Sequence, residues 1–448
     1  MNILKKLPKI DKLILNPIFK ELNLTLLTQI ARKKIENLRK KILLKEIEDF
    51  DNEKLLKNIK YSYDKFFDPS LKPLINATGV ILHTNMGRSL ISHKILNDAS
   101  KVICNYSNLE YNQQKGCRSE RYQHVKEHFK NLLHVEDVLI VNNNASAVFL
   151  ILNTFAKNKE VIVSRGELVE IGGNFRIPEV MSQSGAVLHE IGTTNKTKVK
   201  DYKNAINENT AILMKVHKSN FSIEGFSEDT PYKNIKELCY TNNLIDYYDL
   251  GSGYIPKLPY NLGNDEPSLK EILKDNPALI SFSGDKLFGS VQAGIIAGKK
   301  ELIAKLKENQ LLRILRVDKI TLSILEETIK AYLKEDYKSI PTLWMLFQDE
   351  DSLHVRVSNI QKRVGQTCSV IKSKTFMGGG TLPNREFPTV ALHVKGKSTK
   401  LERDFRKRNI IGRIENEMFL IDFRSILPES EKQIEETIRE ITAMNKVD

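Results

Sequence analysis

Lys286 stands in Ser281-Phe282-Ser283-Gly284-Asp285-Lys286-Leu287-Phe288-Gly289, where an apolar run from Leu279 gives way to small and polar residues before a second apolar segment, Val291 to Ala297. A lysine at such a turn can be aimed into a cleft, although most lysines are solvated surface charges and burying one is costly unless something neutralises it. Thirty-seven residues earlier, Asp249 closes the apolar run Leu244 to Tyr248 and is followed by Leu250-Gly251-Ser252-Gly253. An acid at one strand end and a lysine at the next suit pyridoxal phosphate chemistry. The lysine forms a Schiff base, and the acid keeps the pyridine nitrogen protonated so that the ring accepts electrons from a carbanion. Taken alone, the same stretch reads equally as a turn whose aspartate caps backbone amides.

A phosphate site is offered upstream. Val138 to Val141 reads as a strand, Asn142-Asn143-Asn144 as a turn, and Ala145 onward as a helix start. Backbone amides around Ala145, with the Asn144 and Ser146 side chains beside them, form an anion site. Simple N-capping explains the same residues, but phosphate site, acid and lysine in that order are far more specific together than apart. His217, in Lys215-Val216-His217-Lys218-Ser219-Asn220, is open to two readings, a contact to the cofactor ring or a structural histidine after a strand.

The elements that must position these groups alternate from about 124 to 300. Strands are expected at 138–141, 160–163, 186–188, 211–216, 244–248, 279–282 and 293–297, with helices between several of them. Such alternation predicts an α/β fold with a mostly parallel sheet and ligands outside the carboxyl ends of its strands. Asn142, Lys215, His217, Asp249 and Lys286 all fall at or just beyond such ends. Beyond 300, helices at 300–310, 322–333 and 352–364 lead to strands at 389–394 and 419–423 and a closing helix from Glu429, a smaller α+β domain. Met377-Gly378-Gly379-Gly380-Thr381 reads as a flexible turn in preference to a phosphate cradle. The dense turn formers of Ile75 to Arg88 read as a loop facing a site.

Leu27, Ala31, Ile35, Leu38 and Ile42 recur at steps of three and four, with Arg32, Lys33, Lys34, Arg39, Lys40 and Lys41 filling much of the rest, which makes an amphipathic basic helix. Residues 1–60 hold fifteen Lys/Arg against eight Asp/Glu, so more than half of the net charge of +13 lies in this short stretch. That points to an anionic partner, with a lysine-rich solvated face as the plain alternative. The prolines of Phe67 to Pro73 mark a linker, and the domains are placed at 1–65, 66–300 and 301–448. No apolar run is long enough to span a membrane, and lysines, Pro8 and Asp11 interrupt the first fifteen residues, so a cytoplasmic protein with no membrane partner is expected. Cys104, Cys117, Cys239 and Cys368 are too scattered for a disulfide framework or a metal site. Cys117, among Lys115, Arg118 and Arg121, is either activated by those cations or an ordinary thiol.

Several stretches carry a specific resemblance. Ile75-Asn76-Ala77-Thr78-Gly79 through His83-Thr84-Asn85-Met86-Gly87-Arg88, Val163 to Gly173, Gly192-Thr193-Thr194-Asn195, Ser283-Gly284-Asp285-Lys286 and Leu315-Arg316-Val317-Asp318-Lys319 resemble the bacterial L-seryl-tRNA(Sec) selenium transferases from about residue 10 to the C-terminus. The resemblance implies the type I pyridoxal phosphate fold, with a small N-terminal helical domain that binds tRNA and a C-terminal α+β domain. It implies conversion of seryl-tRNA(Sec) to selenocysteyl-tRNA(Sec) with selenophosphate, in a homodecamer built as a pentamer of dimers. Lys286 is then the Schiff-base lysine and Asp285 its catalytic neighbour. Arg88, Arg313 and Arg316 match the selenophosphate-binding arginines, and the basic helix, with Arg32, Lys33, Arg39 and Lys40, becomes the tRNA grip. Two departures stand out: Gly116 to Arg121 is more acidic than the usual Gly-Lys-Arg-Gly-Ser-Arg, and Gly289-Ser290 replaces a Gly-Gly pair. A type I enzyme acting on a free amino acid would share the cofactor residues without needing the basic helix. A noncatalytic RNA-binding relative would tolerate loss of Lys286 or Asp249, and both are present.

Overall fold

The computed structural model describes residues 3–171, 175–219, 221, 223, 225–264 and 266–444, so Gly172 and Gly173 of the motif quoted above, and Asn220, lie outside the described residues. Two compact units divide the chain, Met1–Pro73 and Leu74–Asp448.

In the first unit, helix α1 (Leu24–Leu43) is started by Asn23, whose side-chain oxygen accepts from the Leu26 amide at 3.0 Å. A helix so rich in cations is held by packing more than by propensity. Leu27, Ala31 and Ile35 form one buried stripe against Leu55, Ile59 and Tyr63 of α2 (Asn52–Phe66). The Tyr63 hydroxyl also accepts from the Asn23 amide, tying the start of one helix to the end of the other. Arg32, Lys33, Arg39 and Lys40 are exposed.

The second unit is built on seven strands: β1 (Asp137–Val141), β2 (Glu160–Ser164), β3 (Val187–Ile191), β4 (Thr210–Val216), β5 (Ile245–Gly251), β6 (Leu279–Ser283) and β7 (Gly294–Gly298). Their spatial order is β1-β7-β6-β5-β4-β2-β3. β7 runs antiparallel to both neighbours and the other pairings are parallel. Strands covered on both faces read as unbroken apolar runs, which is why β1 and β6 are wholly buried and easily found in the sequence. Edge strand β3 instead exposes Val187.

Helix α3 (Asn144–Phe155) begins immediately after β1. A Cβ on Gly294 of β7 would collide with the Asn143 carbonyl oxygen, so the turn between β1 and α3 lies directly on β7. That contact fixes the height of the helix start.

A smaller antiparallel sheet, β8 (Cys368–Gly378), β9 (Thr381–Val394), β10 (Arg413–Glu415) and β11 (Met418–Asp422), is ordered β8-β9-β11-β10 and shares its core with helices Glu350–Val364 and Glu431–Met444. The strand expected at 389–394 is thus the end of a fourteen-residue strand, and its long hairpin partner β8 carries too many lysines and serines to read as an apolar run. Gly378, Gly379 and Gly380 turn that hairpin with positive φ. A Cβ on Gly378 would strike Val80, and one on Gly379 would come within 2.8 Å of Leu82, so these glycines serve close packing and not a flexible loop. The segment from Ile75 opens on a short strand. Ile75 and Asn76 pair in parallel with Ile410 and Ile411, and Ala77 enters the core of the small layer, before the chain reaches His83 and Arg88. Among the described residues no helix is long and apolar enough to cross a membrane.

Candidate active site

The carboxyl ends of β1, β4, β5 and β6 converge on a cavity of about 240 Å³. Asn143, Asn144 and Ala145 reach it from the turn after β1, His217 from the end of β4, Asp249 from β5, and Asp285 and Lys286 from the turn after β6, with Arg88 closing one side. The two asparagines divide their work differently from the sequence expectation. Asn143 is the N-cap, its side-chain oxygen accepting from the Ser146 amide at 2.8 Å, while Asn144 Nδ2 donates to Asp249 Oδ1 at 2.7 Å. Asn144 and Ala145 therefore line the cavity, and the Ser146 amide is engaged by the cap.

Lys286 is only 6% exposed, and burial pushes its ammonium below the usual lysine range, with Asp249 opposing and Arg88 adding to the shift. Burial of this kind favours the neutral amine, the form that acts as base and nucleophile. Asp249 is pushed up by burial and pulled back by the Asn144 amide and by Lys286. Arg88, held in the left-handed region at φ +59, donates through a guanidinium nitrogen to Asp285 Oδ2 at 2.8 Å. The same segments are stitched again where the Ser89 hydroxyl donates to the Ser290 carbonyl at 3.0 Å. Ser290, the departure from a Gly-Gly pair, is accommodated by a hydroxyl contact of 2.8 Å to Thr328.

Two buried acids have no counterpart among the residues singled out from spacing. Glu167, 1% exposed, accepts from Lys215 Nζ at 2.5 Å and from the Val216 amide at 2.9 Å, which locks the loop after β2 to the end of β4. Burial pushes its carboxyl up and Lys215 opposes the shift. Glu266, also 1% exposed, stands 3.4 Å from His217 Nε2. Lys215, expected at a strand end beside the ligand, is thus turned to Glu167.

These residues fit pyridoxal phosphate. The cavity supplies a buried amine, a buried acid anchored by an amide, and the first amides of α3, which have no intrahelical acceptor. Asn144 Oδ1 is a buried acceptor with no hydrogen-bond partner.

The three arginines matched by resemblance fall in two places. Arg88 borders the Lys286 cavity, whereas Arg313 and Arg316 line a separate one of about 280 Å³ with Glu110, Arg118 and Arg121. Arg121 is engaged there, donating to Glu110 at 2.8 and 3.0 Å and to the Val317 carbonyl at 2.5 Å. Arg313 is exposed, and Arg316 reaches Glu110 only at 3.9 Å. The Asn142 amide donates to the Leu315 carbonyl at 3.0 Å, which ties the segment between Arg313 and Arg316 to the turn after β1. Cys117 is exposed, on the short strand that pairs with Tyr111 and Asn112. The basic residues of α1 belong to the other unit.

A family model described as L-seryl-tRNA selenium transferase matches residues 74–427. The chain is 57% identical over 451 residues to the L-seryl-tRNA(Sec) selenium transferase of Aliarcobacter butzleri (strain RM4018), covering all of both chains. It is 53% identical to the protein of that name from Sulfurimonas denitrificans (strain ATCC 33889 / DSM 1251), over 98% of this chain and 99% of the relative. The solved structure of D-glucosaminate-6-phosphate ammonia-lyase superposes with a TM-score of 0.59 at 17% identity, covering 86% of this chain and 99% of the other, a likeness of fold.

Proposed function

The chain belongs to the L-seryl-tRNA selenium transferase family, and from that premise we propose how its residues carry out the conversion of L-seryl-tRNA(Sec) to L-selenocysteyl-tRNA(Sec). The fold is the type I fold, and pyridoxal 5'-phosphate is the cofactor; when bound it supplies the electron sink that makes the seryl α-proton removable. Lys286 holds the cofactor and carries that proton, as its lowered ammonium range suits. Asp249 would keep the proton on the pyridine nitrogen, Asn144 keeps Asp249 in place, the start of α3 would take the phosphate with Ser146 within the same turn, and His217 would contact the ring. Once the α-proton is removed the Cβ–O bond breaks and the hydroxyl takes up a proton and leaves as water; the selenium of the donor then bonds to Cβ while a proton returns to Cα, and water cleaves the Se–P bond, releasing phosphate.

The seryl carboxyl is esterified to ribose, so no arginine is needed to hold a carboxylate. Arginines are then free for the selenium donor, which we take to be selenophosphate. Arg88, Arg313 and Arg316 are its binding residues, and Asp285 orients Arg88 beside Lys286. Arg32, Lys33, Arg39 and Lys40 grip tRNA phosphates from the N-terminal domain, while 66–300 binds the cofactor and 301–448 packs as the smaller domain. A cytoplasmic homodecamer, a pentamer of dimers, is the assembly that goes with this reading.

The convergence of Lys286, Asp249 and the start of α3 on one cavity carries it. Lys286→Ala tests it: the variant should keep its circular dichroism in the far ultraviolet but lose both the borohydride-sensitive visible band and selenium transfer. A reducible band retained in that variant would place the attachment elsewhere.

A further inference from the structure

We propose that Glu266 is a positioning residue that acts through His217, its buried carboxylate accepting from Nε2–H and so fixing the imidazole against the cavity that Lys286 and Asp249 line. This rests on the reading that His217 contacts the cofactor. The main chain of His217 is already fixed, because its amide donates to the Asp249 carbonyl at 2.9 Å. What remains free is the ring, and the acid lies 3.4 Å from Nε2.

Glu266 is itself held from several sides. The Ser252 hydroxyl donates to its Oε1, and the Tyr254 hydroxyl donates to its carbonyl oxygen at 2.5 Å. Both donors follow β5 directly, in the glycine turn after Asp249. Gly253 in that turn has φ +62, and a Cβ there would lie 2.5 Å from the Phe282 ring, so the turn is pressed onto β6 and has little room to shift. The acid is therefore tied to the turn that follows the strand carrying Asp249, and it stands beside the histidine just past the end of β4. A carboxylate at 1% exposure is costly unless donors or a cation meet it, and His217 is the titratable group within ion-pair distance. Committing one ring nitrogen to Glu266 sets both the tautomer and the plane of the imidazole.

A purely architectural role is the competing explanation, in which Glu266 only ties its loop to Ser252 and Tyr254. The two differ in whether Glu266 matters once the imidazole is gone. Full-length Glu266→Gln, Glu266→Asp, His217→Asn and Glu266→Gln/His217→Asn proteins are titrated with pyridoxal 5'-phosphate, reading the dissociation constant by absorbance and the visible circular dichroism of the bound cofactor. Glu266→Gln should weaken the cofactor about tenfold, the difference between a charge-assisted and a neutral hydrogen bond, and alter the visible dichroism. Glu266→Asp should recover part of both, and in the His217→Asn background the glutamine should change neither. Wild-type affinity and dichroism in Glu266→Gln overturn the proposal, as does an equal loss in both backgrounds. If His217→Asn alone matches wild type, it is the cofactor contact of His217 that fails. If Glu266→Gln does not fold, Glu266→Asp in the two backgrounds gives the same comparison.

Discussion

Replacing Asn144 with alanine leaves Lys286 and Asp249 intact, so it isolates what keeps Asp249 charged. Burial pushes that carboxyl up, and the Asn144 amide is the foremost of the groups that pull it back, ahead of Lys286, the Gly251 amide and His217. A hydrogen bond to a charged group nets about 1.5–3 kcal/mol. If the Asp249 charge is what retains the pyridine nitrogen, the dissociation constant of pyridoxal phosphate in Asn144→Ala should rise about ten- to a hundredfold near neutral pH. The sign with pH follows. Without the amide the carboxyl moves further up, so the variant loses the Asp249 charge at a higher pH than the wild type does. Its affinity deficit should be large near neutrality and shrink toward acid, where both proteins are protonated at this site. Stability runs the same way. A carboxyl raised in the folded state favours folding below its unfolded range and loses that contribution as pH rises through the folded value, and Asn144→Ala widens this window. The stability deficit of the cofactor-free variant should therefore grow from acid to neutral pH. Absorbance titrations with the cofactor across a pH series, paired with urea melts of the cofactor-free protein, measure both. An affinity loss of equal size at every pH would refute the reasoning, because Asn144 would then be bonding the cofactor itself. So would the full loss appearing again when Asn144→Ala is added to Asp249→Asn, where no charge remains to protect.

Arg313→Ala or Arg316→Ala should weaken binding of a phosphate or thiosulfate mimic of the donor, read by calorimetry, more than binding of seryl-tRNA(Sec); the reverse order would make these RNA contacts. Removing residues 1–73 should leave the visible cofactor band unchanged, yet lower the slope of log affinity against log salt for seryl-tRNA(Sec) by about 3 if the four exposed cations of α1 each meet a phosphate. Filter binding across a salt series checks this, and an unchanged slope would move RNA recognition to the large unit. Gly294→Ala drives a Cβ into the Asn143 carbonyl, so it should displace the start of α3 and weaken the cofactor; a wild-type cofactor titration would mean that this turn can give way.

Which of these groups could be found in the sequence follows from how local their signatures are. Lys286, Asp249 and the start of α3 each end an apolar run, and a parallel sheet covered on both faces turns such runs into strands whose carboxyl ends meet. Residue types at strand ends were therefore enough to bring amine, acid and helix start to one cavity. A shift of one position decides which asparagine caps a helix, and no spacing distinguishes Asn143 as the cap from Asn144 as the partner of Asp249. β8 escaped because it is half exposed and carries Lys372 and Lys374, so its pattern lacks the apolar continuity of the central strands.

The buried acids are the deeper case. Glu167 ends the short 3-10 turn Arg165–Glu167 and Glu266 lies in a loop, and spacing alone gives neither a role. Their meaning lies in partners far along the chain: Glu167 meets Lys215, forty-eight residues on, and Glu266 stands beside His217, just past the end of β4. A carboxylate leaves water only where donors are already arranged to receive it, so its burial reports on the fold around it and not on its own neighbours in sequence. In this protein Lys286, Asp249 and the start of α3 each left a local mark in the sequence, whereas the side chains that meet Asp249, Lys215 and His217 became visible only in pairs.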